Sequence, residues 1–468
     1  MTDAALVSLP LGLPWVFAAV LSLLNGRRRW VGLLAVAGLG AGFVSLLWLA
    51  VVVLRQGPVE VVAGGWPAGV GITLRADALG VTFAAVSVAV ILFSLLYEVS
   101  LGVRWRAFPA LTLLVAAGLT GLFLTGDAFN FYVFFEISMT ASFVLVGYRE
   151  ENVQIRAAFV FAVVNLLGSV IFLASIATLY TITGSLDMEA IAQRTSTLEP
   201  GSAITIAALI FAAFSLKIGL FPFHFWLPAV YVGSHAPVAA ILAGALANIG
   251  SYGLLRFGAD ILPEQLELGA AAVITLGVAS IIYGALQAIS RRDASEVMAY
   301  SAIGQAGYIL LALGIGGPVG YTAAVLYAVV NSLNKGVVFL AAGLRGRVVA
   351  AAFAVGAFSI AGVPPAAGFL GKIAVFKAAI AVEATAASLA LIALVFAGGA
   401  LSFLYSFQVY QRRFMSPAGA GEPGKPDPAA ARLTVAVLAL LLLALGLWPE
   451  PLVYVSQQAA SVLAEVPA

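Results

Sequence analysis

At 468 residues, 62% of them hydrophobic and only 9% charged, with a mean hydropathy of +1.08, the chain lies far from the roughly 25% charged residues of a soluble domain. Its apolar runs are continuous, not alternating, which excludes a β-barrel and leaves an all-α polytopic membrane protein. The absence of cysteine excludes disulfides, thiolate metal sites and iron–sulfur clusters, and two histidines argue against haem or zinc, so no cofactor is expected; the net charge of +2 points to no partner.

About 14 spans are predicted, in chain order 4–25, 30–54, 78–98, 108–125, 129–148, 156–183, 203–228, 236–257, 268–290, 295–315, 318–343, 349–382, 386–411 and 432–448. The first has its positive flank, Arg27–Arg29, after the apolar run, so it reads as a helix and not as a cleaved leader. With the N-terminus placed outside, the odd-to-even loops hold 15 Lys and Arg residues, Lys425 among them. The other loops hold four: Arg55, Arg75, Arg194 and Arg256. This asymmetry satisfies the positive-inside rule and predicts both termini outside. The Pro/Gly/Ala-rich stretch Ser416–Ala431 reads as a cytoplasmic linker.

Four lysines and no arginine remain within spans: Lys217, Lys335, Lys372 and Lys377. Lysine changes protonation state when desolvated and arginine does not. The fifth span carries Glu136 near its middle, with Asp127 at its edge. A mid-membrane carboxylate costs about 2.5–3.5 kcal/mol on insertion scales, so it is either neutral or paired with a cation on another helix. Glu136, Lys217, Lys335 and Lys372 together read as a proton-transfer set, against the plainer alternative of an acid that locks two helices together.

Two lysine spans are interrupted. The seventh reads Ser215-Leu216-Lys217-Ile218-Gly219-Leu220-Phe221-Pro222, and Pro222 removes a backbone donor beside the lysine turn. The twelfth carries Gly362-Val363-Pro364-Pro365 before Gly371-Lys372. Broken helices in corresponding parts of two halves are the pattern of inverted-repeat transporters. His224 follows Lys217 by seven residues, two turns on one face, and either passes protons on or packs at the helix end; His235 reads as structural. Asn248, Asn331 and Asn334 either hold water or hydrogen-bond across helices, while Ser301, Gln305 and Tyr308 share a polar side of the tenth span.

Four motifs carry a resemblance over nearly the whole length: FYVFFEISMTASF around Glu136, SLKIGLFPFHFWLP followed by HAPVAA, NSLNKGVVFLAAG around Lys335, and GVPPAAGFLGK ending at Lys372. The chain resembles the antiporter-like membrane subunits shared by respiratory complex I and the Mrp Na+/H+ antiporters, and is most similar to the D-type component of the latter. The resemblance implies two inverted five-helix repeats, 108–257 (helices 4–8) and 268–411 (helices 9–13), with helices 7 and 12 broken. A three-helix segment, 1–107, precedes them, and a cytoplasmic loop, a last helix and an external C-terminus, 412–468, follow. It also implies a prokaryotic cell membrane, partners of the A, B, C, E, F and G types in a hetero-oligomeric assembly, transport of H+ and Na+, and no nucleic acid.

By the same resemblance, Glu136 pairs with Lys217, Lys335 connects the halves, and Lys372 ends the second half-channel. His224, Asn248, Asn331, Ser301 and Gln305 form a secondary pathway. Asn248 and Asn331 stand where relatives carry an ionisable residue, and Ala229 follows Pro228 where relatives carry an acid. A Glu–Lys pair 4 Å apart at an effective dielectric near 20 is worth about 4 kcal/mol, enough to move a buried lysine across neutral pH. The alternatives are a proton-pumping subunit of a redox-driven complex, complex I or hydrogenase-like, and a polytopic lipid-linked transferase. The transferase would need an acidic or metal-binding cluster at a membrane face.

Overall fold

A computed structural model describes residues 2–66, 71–149, 151–195, 200–381, 386–415 and 427–464. Lys425 and most of the expected linker lie outside these residues, and the linker's last residues already belong to a helix. In chain order the helices begin with α1 (Asp3–Ser22), α2 (Arg29–Gln56), α3 (Ala78–Leu101), α4 (Phe108–Phe123), α5 (Ala128–Val146) and α6 (Asn152–Thr183). A short α7 (Met188–Thr195) leads to α8 (Pro200–Ile218) and α9 (Leu227–Gly233). Next, α10 (Ala236–Ile241) and α11 (Asn248–Gly253) are joined by π-helical Leu242–Leu246 and run on through π-helical Leu254–Ile261 as one buried span, Ala236–Ile261.

The second half comprises α12 (Pro263–Ser290), α13 (Ala294–Ile315), α14 (Gly317–Ala342), α15 (Arg347–Ala361), α16 (Gly368–Ala381) and α17 (Ala386–Tyr410). Helices α18 (Ala429–Leu447) and α19 (Glu450–Ala464) complete the chain. Twelve helical segments among the described residues are long and apolar enough to cross a membrane. The shorter α4 and α15 stand at the positions of the two remaining expected spans. Three elements were not expected: a hairpin of β1 (Val59–Val62) and β2 (Thr73–Ala76), α7, and α19, which lies in the stretch read as an external terminus.

Cross-loop hydrogen bonds sort the connections onto two faces. On the arginine-rich face, the Gly26 N–H donates to the Arg106 carbonyl at 3.0 Å and the Arg27 guanidinium to the Arg104 carbonyl at 2.8 Å. Arg412 and Arg413 reach the carbonyls of Arg291 and Ala342 at 3.0 and 2.9 Å. On the opposite face, β2 pairs with the segment before α5 through Arg75 N–H to Leu124 O and Gly126 N–H to Thr73 O, both 2.9 Å. Arg75 meets Glu189 of α7 at 2.8 Å, and Tyr454 of α19 donates to the Leu54 carbonyl at 3.3 Å.

Arg256 corrects one expectation. Hydropathy places it in a loop, but the π-helical turns carry its span past residue 257 to Ile261, and its side chain is buried. Its guanidinium binds Asp77 at 2.5 Å, Asp260 at 2.8 Å and the Tyr252 hydroxyl at 3.1 Å. Asp77 also caps α3, accepting from the Gly80 N–H at 2.8 Å, so the charge cluster ties a helix start to the buried span.

The α12–α13 pair packs closely, because glycines face each other across it. A Cβ at Gly277 would stand 2.8 Å from the Gly307 carbonyl, and Gly284 lies against Gly304. Such small-residue seams are how helices approach in a membrane, where apolar surface alone gives no drive to associate.

Removing one partner of a buried ion pair strands the other, at about 3–5 kcal/mol. Arg256→Ala is therefore expected to lower the thermal midpoint and recovery of the purified assembly sharply. Adding Asp77→Asn should restore part of that loss, and a double variant no better than the single one would contradict the pairing.

Candidate functional site

The site begins where α8 stops. Gly219 has φ +72°, a conformation that side chains disfavour, and Pro222 offers no N–H. The helix therefore ends one residue after Lys217 and resumes at Leu227. The freed carbonyls are used: the Leu220 N–H donates to Ser215 O at 3.0 Å and the Trp226 indole to Leu216 O at 3.0 Å. This break overturns the placing of His224 on the lysine's helical face. His224 lies in the turn between α8 and α9, its ring 4.5 Å from Tyr283 of α12 and 5.5 Å from Phe221.

Lys217 is buried, and its ammonium donates to the Asn165 carbonyl at 2.7 Å and to the Ser169 hydroxyl at 3.2 Å. The ring of Phe135 lies beneath it, 4.1 Å from Nζ to the centroid. Gly168 leaves room for the lysine stem. The expected Glu136–Lys217 ion pair is not among the ion pairs within 4.0 Å formed by the described residues, and Glu136 Oε1 is buried with no hydrogen-bond partner. Glu136 follows Phe135, whose ring takes the place beside the ammonium. Asn165 and Ser169 were missed. The only signal for them was a pair of polar residues one turn apart in the 32 residues of α6.

Beside Lys217 lies a cavity of about 10 Å³, bordered by Asn165, Trp226, Leu246 and Ala247, with room for about one water molecule. It leads to Asn248. That amide donates to the Ser87 hydroxyl of α3 at 2.9 Å and accepts from the Ser332 hydroxyl of α14 at 2.9 Å. One turn on from Ser332, Lys335 is buried. Asn331 and Asn334 are buried with unpartnered Oδ1 atoms.

In the second half, α15 stops at Gly362, φ +79°, and the absent side chain is where the Lys372 stem lies. The Lys372 ammonium is buried without a hydrogen-bond partner, 4.9 Å from the centroid of the Tyr308 ring. Tyr308 stacks on Tyr327 at 5.1 Å, and the Tyr327 hydroxyl donates to Gln305 Oε1 at 2.5 Å. Gln305 Nε2 donates to Ser402 at 3.4 Å and to Tyr405 at 3.3 Å, and Tyr405 shares a 2.8 Å hydrogen bond with Ser301. Ser301 and Gln305 are thus joined in one network, while Tyr327, Ser402 and Tyr405 were not foreseen. Asp127 caps α5 through a 2.6 Å bond from the Asn130 N–H, and Lys377 is exposed.

Residues 125–347 and 345–397 match the family described as NADH:quinone oxidoreductase/Mrp antiporter, transmembrane. The chain belongs to this family. It is 30% identical to the D component of the Na(+)/H(+) antiporter of Alkalihalophilus pseudofirmus, over 97% of this chain and 96% of that one. Its fold is similar to a chain of the Mrp complex from Dietzia sp., with a TM-score of 0.89 and 26% identity, covering 99% and 98% of the two chains. It is also similar to a chain of respiratory complex I from Thermus thermophilus, with a TM-score of 0.85 and 25% identity, covering all of both.

Because Gly362 combines a left-handed backbone with contact to Lys372, Gly362→Val is expected to destabilise the fold by about 1–3 kcal/mol. Gly40→Val, where nothing stands within 4 Å, serves as the control. The thermal midpoint of the purified assembly should fall for the first and stay for the second.

Proposed function

We propose that this chain is the D-type, proton-carrying component of a multisubunit monovalent cation/proton antiporter, with Na+ as the exchanged ion. It is a transporter component, not an enzyme. The observation that carries the reading is that the buried polar atoms without protein partners include a row along the sequence motifs of both halves: Glu136 Oε1, Ser215 Oγ, Asn331 Oδ1, Asn334 Oδ1, Tyr308 OH and Lys372 Nζ. Buried polar groups are otherwise almost always paired, so such a row is satisfied by water. Water beside lysines is what a proton relay requires.

On this reading the proton path runs from Glu136 and Lys217 through Asn248 to Lys335, and on by Asn331 and water to Lys372. Asn248 holds its place as a hydrogen-bonded bridge and not as a carrier. Lys217 holds its proton while Asn165, Ser169 and the Phe135 ring enclose it. Withdrawal of that cradle favours loss of the proton, and approach of Glu136 favours keeping it. Ser301 and Gln305 fix the tyrosine wall beside Lys372, and His224 lies off the path, against Tyr283.

The two halves, 108–257 and 268–411, act as inverted repeats around the breaks at Gly219 and Gly362. The arginine-rich face looks into a prokaryotic cell and both termini look out, with the remaining components of an Mrp-type assembly packed at the flanks. The likeness to complex I favours one second reading, a pump component driven by a redox partner. Identifying the proteins that co-purify with this chain separates the two.

The test is cation-dependent proton exchange in inverted vesicles. Lys217→Ala and Glu136→Gln are each expected to reduce the rate at least a hundredfold, with the complex assembled. Exchange at the unaltered rate in either assembled variant would overturn the assignment.

A further inference from the structure

A carboxylate outside this row has no assigned role. Glu98 lies one turn from the arginine-rich end of α3, 2% exposed, and its Oε1 has no hydrogen-bond partner. It belongs to a polar stripe. Ser87, Ser94 and Glu98 are spaced by seven and four residues, which puts them on one face of the helix, and all three are buried. The stripe begins at the Ser87–Asn248–Ser332 bridge, one turn from Lys335, and climbs about 16 Å to Glu98. The one apolar interval is at Val90, which lies against Gly244 of the π-helical turn and Gly336 of α14.

Resting on the proton-carrying reading above, we propose that Glu98 is a proton-exchange site through which the central Asn248–Lys335 node communicates with the arginine-rich face. The chemistry around it selects the proton over a metal cation. The guanidiniums of Arg104 and Arg149 act on it from the α3–α4 and α5–α6 connections, together with the Arg104 main-chain amide, and would repel Na+. The hydroxyls of Tyr97 and Tyr148 also feel its charge, with Arg413 and Asp427 beyond Tyr97.

His235 is the neighbouring competitor for the role. It lies just before the Ala236–Ile261 span, its ring 5.9 Å from Tyr148, and 3.9 Å from Glu151. Burial, with the Arg149 and Arg104 charges, pushes its pKa down to about 4, so it stays neutral where a cell works. The carboxyl of Glu98 is left as the group able to take up and release a proton there. Val90 closes the stripe in this structure, and passage requires water at that level.

The test uses the assembled complex in inverted vesicles, with Glu98→Gln, Glu98→Asp and Lys217→Ala compared across pH. Glu98→Gln keeps size and hydrogen-bonding capacity but cannot titrate, and is expected to slow exchange at least tenfold. Glu98→Asp should restore at least half of the rate, with a displaced pH profile. A Glu98→Gln complex with unaltered rate and pH profile overturns the site, since a merely structural acceptor is conserved in glutamine. Should that variant fail to assemble, Glu98→Asp decides: a displaced profile supports the site, and an unaltered rate and profile overturns it. Loss of exchange in Lys217→Ala alongside normal exchange in Glu98→Gln removes this site only, while normal exchange in both removes the wider reading as well.

Discussion

An ammonium group inside a lipid-spanning bundle must find oxygen or π-electron partners, and the protein is arranged around meeting that demand at Lys217. A helical carbonyl already accepts one N–H but keeps a second lone pair that a close cation can use. Here the partners come from a neighbour: the Asn165 carbonyl and the Ser169 hydroxyl of α6, with the Phe135 ring closing the third side. The break at Gly219 frees the end of α8 to reach them, and Gly168 on α6 clears the space for the stem. Three helices and one helix break therefore converge on one nitrogen.

The two halves answer the same demand differently. In the first, the lysine is enclosed by direct contacts. In the second, Lys372 meets a tyrosine ring and has no hydrogen-bonding partner, while the polar capacity sits one layer away in Gln305, Ser402, Tyr405 and Ser301. A cradle of fixed acceptors holds a charge in place, whereas a ring alone constrains it less. Between them, Asn248 provides a joint that bonds α3 and α14 at once and carries no charge of its own.

Much of this was legible before any coordinates. Long apolar runs separated by arginines gave the spans, because in hydrocarbon a continuous apolar run satisfies its own backbone only as a helix. Gly219-x-x-Pro222 and Gly362-x-Pro364-Pro365 marked the interruptions by the chemistry of glycine and proline alone. What escaped were relations between helices. Nothing in Asn165 or Ser169 says which lysine they meet. Helical spacing misled on His224, since a face exists only while the helix continues. Arg256 looked like a loop residue because the π-helical extension of its span leaves no mark in hydropathy, and its carboxylate partner Asp77 is 179 positions away.

The π-helical turns in Ala236–Ile261 have a geometric consequence. Each inserts an extra residue into an otherwise regular ladder and so turns the residues beyond it by about 100° relative to those before it. The Leu242–Leu246 turn stands just ahead of Asn248, the side chain that bonds α3 and α14 at once. The span thus owes the aim of its bridging amide to an irregularity in its own backbone.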